Sequence, residues 1–180
     1  SYSEAEEASI LAGMSYVNIH NAGFPGGEIR GQIVPEPTPY CECTSPHACA
    51  IFDADGGCGN TTGDGAQLSF SGIPSLSVGT FSITSAPLPT NEFGIFYMGP
   101  AQIVGMPVGS GVAFGDGRRC VGGSTLRFPL RSSGASGSVT EPAGLSAFHG
   151  VIMPGDTWNF QHWYRDPGGG CGCLLYTSDA

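Results

Sequence analysis

The sequence predicts an all-β chain, a short helix and hairpin followed by an antiparallel β-sandwich. Two observations lead there. Short apolar runs with two-residue alternation recur at intervals of about ten to fifteen residues, as sandwich strands do. Between them lie Gly and Pro, 30 and 14 of the 180 residues, with no collagen-type period, as turns require. Hydrophobic residues make up 40% and aromatics 10%, enough apolar material for a core, which separates the chain from disordered ones.

Residues 3–13 form the one good helix candidate. Ser3 offers an N-cap with Glu6 three residues on, acids crowd the first turn, and Gly13 stands at the stop. Residues 14–20 then alternate as a strand, residues 21–27 make a long loop, and residues 28–34 return as a second strand. The prolines Pro35, Pro37 and Pro39 stiffen an extended linker and mark a domain boundary. Further strands are expected over residues 66–71, 77–84, 92–98, 124–130, 137–140 and 157–165. On the last of these, alternation puts Trp158, Phe160, His162 and Tyr164 on one face and Trp163 on the other. Buried, these rings are core; exposed, they are a sugar-stacking platform. A sandwich strand needs such rings for packing, which favours core.

Charge is sparse. The six basic residues are all arginines against 15 acids, a net charge of −9. That balance argues against a nucleic-acid or anionic-membrane surface, because phosphate binding needs a basic stripe. No apolar run reaches the roughly 18–20 residues of a membrane span. Ser1 opens into an acidic stretch without a signal peptide, so the expectation is a cut chain whose export signal lies upstream.

Two stretches resemble known families. Tyr16-Val17-Asn18-Ile19-His20 followed by Phe24-Pro25-Gly26-Gly27-Glu28-Ile29-Arg30-Gly31-Gln32-Ile33 resembles the closing motif of the chordin-type (CHRD) domain, and the preceding helix ending in Leu11-Ala12-Gly13 matches what that family places before it. The resemblance implies that residues 1–35 are the end of one β-sandwich whose remainder lies upstream. It further implies an extracellular setting and supplies no enzymatic chemistry. A second set is similar to a cysteine-containing module found at the C-terminal ends of large secreted, planctomycete-like bacterial proteins. It comprises Cys41-Glu42-Cys43, Gly57-Cys58-Gly59-Asn60-Thr61-Thr62-Gly63, the stretch from Phe114 to Gly123 and Trp163-Tyr164-Arg165-Asp166-Pro167. That similarity covers residues 41–173 and implies no activity. The expected organisation is a CHRD-like end over 1–35, a Pro/Cys-rich linker over 36–60, a β-sandwich module over 61–173 and a non-native tail over 174–180.

The seven cysteines, Cys41, Cys43, Cys49, Cys58, Cys120, Cys171 and Cys173, suggest disulfides and an oxidising compartment. With His47, the first four also draw a zinc site, but without the paired spacing of zinc ribbons. Cys120 is expected to pair with Cys171 or Cys173, and the first four cysteines with one another in two local bridges. Asp53, Asp55 and Asp64 form a candidate calcium loop, since alternate oxygen ligands before a Gly turn suit that ion. An Asp/Gly turn needs the same residues for conformational reasons alone. Arg118 or Arg119 could clamp Asp116 or Asp166. The four histidines (His20, His47, His149, His162) show no ligand spacing, and no nucleophile elbow is present.

The function expected from these features is a non-catalytic structural or interaction module of a larger secreted protein, with an unknown protein or glycan as partner. It would need no cofactor beyond possible calcium and would neither bind nucleic acid nor insert in a membrane. A carbohydrate- or calcium-binding module is the alternative, and part of a secreted hydrolase the third reading.

Overall fold

The structure, a computed structural model, describes residues 16–32, 40–41, 43, 57–72, 74, 76, 79–105, 111–142, 145–148, 150–153, 156–169 and 176–177. The helix expected over residues 3–13 falls outside them. The chain divides into two compact units, one of Ser1–Thr38 with Met153–Gly155 and one of Pro39–Ile152 with Asp156–Ala180.

In the first unit β1 (Tyr16–Asn21) pairs antiparallel with β2 (Phe24–Gln32). The long loop expected over residues 21–27 is instead a tight turn. Asn21 Oδ1 accepts hydrogen bonds from the backbone N–H groups of Gly23 (2.7 Å) and Phe24 (3.0 Å), an Asx closure that starts the return strand at once. The register slips between Ile19 and Asn21, so the extra residues of the Pro25-Gly26-Gly27 stretch form a bulge. His20 Nδ1 lies 2.8 Å from the Pro25 carbonyl and ties that bulge. Tyr16, Val17, Ile19 and Phe24 remain 46–58% exposed, so the ribbon leaves apolar side chains in solvent.

The second unit is all-β, with no α-helix among the described residues. Its strands are β3 (Gln67–Ser71), β4 (Ser82–Ala86), β5 (Phe93–Gly99), β6 (Ala101–Gln102), β7 (Val112–Phe114), β8 (Gly117–Arg119) and β9 (Val121–Gly122). They continue with β10 (Leu126–Ser132), β11 (Val139–Glu141), β12 (Asn159–Tyr164) and β13 (Tyr176–Thr177). One sheet runs β10-β5-β12-β13 and the other β11-β4-β3, with β6-β9 and β7-β8 as short separate ladders. All pairings are antiparallel.

Alternation decides which side chains enter the core. Ile83 and Val139 from the three-stranded sheet meet Phe96, Met98, Phe128 and Tyr164 from the four-stranded one. Phe70, Phe81 and Phe160 close the space between the sheets with ring centroids 5.7–5.8 Å apart. Each fully buried side chain of this kind contributes about 1.5–3 kcal/mol. At the rim of the same interior, Arg131 on β10 reaches across to Glu141 on β11 with bonds of 2.6 and 3.0 Å. Pro129 falls where the β10–β5 register shifts, between Arg127 and Leu130, and a residue without an N–H fits such a break.

Two features differ from expectation. The strand expected over 77–84 forms as Ser82–Ala86, displaced toward the C-terminus. The ladders β6-β9 and β7-β8 were not foreseen, because runs of two or three residues carry no readable period. Tyr176 and Thr177, in the stretch read as a non-native tail, pair with Tyr164 and Trp163 and form the edge strand of the four-stranded sheet.

Candidate functional site

The outer face of the four-stranded sheet is built by the odd positions of β5 and β12: Ile95, Tyr97, Gln161 and Trp163. At one end a further layer covers it. Cys41 and Cys120 are joined by a disulfide with their Cα atoms 5.8 Å apart, and Gln161, fully buried beneath it, bonds to everything around. Its Oε1 accepts from the Tyr97 hydroxyl and from the backbone N–H groups of Cys120 (3.0 Å) and Val121 (3.4 Å). Its Nε2 donates to the Arg118 carbonyl (2.8 Å) and lies 3.6 Å from Cys41 Sγ. A buried amide is stable only when its acceptor and donors are satisfied together, and this one is. Burial drives the Tyr97 phenol pKa up, against the lowering effect of Arg119, and burial likewise raises that of Tyr40.

A second junction ties the turn after Cys58 to the end of β12. Asn60 donates to the Pro87 carbonyl and the Tyr164 hydroxyl, both at 3.0 Å, and accepts from the Thr62 N–H at 2.8 Å. Asp166, fully buried, accepts from Thr61 N–H at 2.7 Å and Thr61 Oγ1 at 2.8 Å. The motif residues around Cys41, Asn60, Cys120 and Tyr164 are therefore brought together, and what they make is a set of cross-links. A shallow depression of about 390 Å³ beside this junction is lined by Thr61, Thr90, Glu92 and Pro167 among others.

The expected pairing of Cys120 with Cys171 or Cys173 is corrected: its partner is Cys41. The two local bridges reduce to one within the described residues, Cys43–Cys58, since Cys41 crosses to the sheet. Spacing could not choose, because connectivity depends on which strands the fold brings together. Cys49, Cys171 and Cys173 lie outside the described residues, as do Asp53 and Asp55. Asp64 is exposed on its turn and accepts the Asn60 N–H through its backbone carbonyl. The clamp of Arg118 or Arg119 on Asp166 is also corrected: the Asp166 carboxylate bonds Thr61, and Arg119 Nε donates to the Val121 carbonyl at 3.1 Å.

His162 occupies the inner face of β12, 1% exposed, stacked on Phe96 with centroids 4.2 Å apart. Gly94 makes room for it, since a Cβ there would meet the imidazole. Burial pushes its pKa down to about 3, so the ring is neutral at physiological pH. Phe160 and Tyr164 are likewise packed in the interior. Sequence reasoning missed Gln161 and Asn60; the available signal was an amide on a strand between aromatic neighbours, and an Asn following a cysteine in a Gly-rich turn.

Beyond the covered end the outer face is open at Phe93 and Leu130, whereas Trp163 is half-buried beneath Phe114. Trp163 stacks on Phe114 at 4.6 Å and contacts Tyr97 at 4.1 Å, with Arg127 over its ring at 5.9 Å. Leu130 is 64% and Phe93 50% exposed.

The comparisons with known proteins bear on the first unit. The CHRD domain family model matches residues 1–33. No curated protein and no solved structure is significantly similar to the chain. The CHRD match and the disulfides together suggest an extracellular protein, and no helix of the described residues is long and apolar enough to cross a membrane.

Proposed function

We propose that the chain is a non-catalytic interaction module of a larger secreted protein, in which residues 1–35 close a CHRD-type domain and the sandwich behind them presents a rigid face. The observation that carries this reading is the Gln161 junction. Four of the most deeply buried polar side chains in the second unit, Gln161, Asn60, Asp166 and Glu141, are each bonded to another strand or turn. Catalytic acids, bases and nucleophiles are instead set facing a cleft with their bonding capacity turned toward substrate. The resemblance of residues 41–173 to modules of secreted bacterial proteins supports the same setting.

Expression with an export signal, compared with cytosolic expression, tests this. The exported protein should be folded, carry intact disulfides, and show no turnover of ester, glycoside or peptide substrates above buffer. Protein that folds equally well in a reducing cytosol, or substrate turnover abolished by a point substitution, would overturn it.

A further inference from the structure

The chain holds 15 acidic and six basic side chains, yet the strand segments forming the open outer face, residues 93–99, 126–132 and 159–165, contain no carboxylate at all. The charged groups on that face are cationic. Arg127 lies over the Trp163 ring and is exposed. Arg165, also exposed, has its N–H bonded to the Phe93 carbonyl at 3.0 Å, and alternation continues the outer face to it. Between them lie Phe93, Ile95, Leu130 and Trp163, with Phe93 and Leu130 at least half exposed. Resting on the interaction-module reading above, we propose that this face binds an anionic, uronate-type polysaccharide laid across the strands.

The chemistry argues for each part. An arginine fork is matched to a carboxylate and is weakly hydrated, so it loses less than an ammonium when a ligand covers it. An overall acidic protein repels anions, so a carboxylate-free face with two guanidinium groups is where an anion can approach. The two arginines stand two strands and four residues apart, a diagonal of roughly 16 Å from sheet geometry. A ligand that touches both is a polymer. An extended acidic peptide would gain chiefly from main-chain pairing at a sheet edge, and these groups sit on the face. Sugar rings lay their C–H surfaces on aromatic side chains, and Phe93, half exposed, presents one.

The test uses the oxidised 180-residue chain in affinity electrophoresis through gels containing polygalacturonate, alginate, a neutral glucan or poly-L-glutamate. Retardation by polygalacturonate or alginate is expected, with none by the glucan, and should weaken at least tenfold in Arg127→Gln/Arg165→Gln and at high salt. Phe93→Ala should weaken it too, while both variants keep the thermal melt of the parent. No retardation by either polyuronate, retardation unchanged in the double variant, or equal retardation by poly-L-glutamate would overturn the proposal. Loss of binding in protein whose disulfides are intact removes the ligand assignment alone, whereas substrate turnover would remove the reading beneath it.

Discussion

Replacing Gln161 with Met keeps the length of the side chain and removes all of its hydrogen bonding. Gln161 is fully buried, so water cannot take over its partners. The Cys120 N–H and the Arg118 carbonyl, held at 3.0 and 2.8 Å, and the Tyr97 hydroxyl would each lose a partner in a dry layer. An orphaned buried polar group costs about 1–3 kcal/mol. The Val121 N–H at 3.4 Å adds little, and some relaxation of the covering segment offsets part of the sum. The expected loss is about 3–5 kcal/mol, a large share of the roughly 5–15 kcal/mol by which a domain is stable. Urea denaturation of the oxidised protein, with the slope checked for constancy, measures it. A loss below about 1 kcal/mol, within the net value of a single ordinary hydrogen bond, would refute the claim that Gln161 holds the outer layer to the sheet.

Arg131→Met removes the two charge-assisted bonds to the Glu141 carboxylate, which is 1% exposed, and should cost about 2–3 kcal/mol, less than a fully buried pair because Arg131 itself is partly exposed; an unchanged urea midpoint would contradict this. His162 is neutral in the folded state down to about pH 3, whereas its unfolded imidazole binds a proton near pH 6.5. Its contribution is therefore complete above pH 6.5 and declines as pH falls toward 3, by at most about 1.4 kcal/mol per pH unit. An imidazole proton resonance of His162 that titrates near pH 6.5 in the folded protein would contradict the burial. The β1–β2 ribbon, with Tyr16, Val17, Ile19 and Phe24 in solvent, should show little amide protection by hydrogen exchange in the monomer, because a two-stranded ribbon is marginal in water. Strong protection of residues 16–20 would show it to be self-sufficient.

Much of the sandwich is legible in the sequence where alternation is long enough to read. β3, β5, β10, β11 and β12 fall on or beside the runs that period two selects, and the inward aromatics Phe160 and Tyr164 follow from the same count. The further layer is not legible. Its pieces, Cys41, β8, β9 and Cys120, are short and irregular; the Gln161 amide ties them to the sheet and a long-range bridge ties Cys41 to Cys120. Parity puts Gln161 and Trp163 on the same outer face, but nothing local says that Gln161 is covered while part of that face stays open. The hairpin turn shows the opposite case, in which a single side chain, Asn21, closes a turn that composition alone made look like a loop.

The central cross-link draws the region before the sandwich onto its outer face. The Cys41–Cys120 bridge spans 79 residues and Cys43–Cys58 spans 15. By the chain-entropy model they contribute about 4.5 and about 3 kcal/mol. Peptide mapping of the oxidised protein under non-reducing conditions reads both directly. A Cys41–Cys120 linked peptide and a Cys43–Cys58 linked peptide are expected. Cys120 found free, or joined to Cys171 or Cys173, would contradict this.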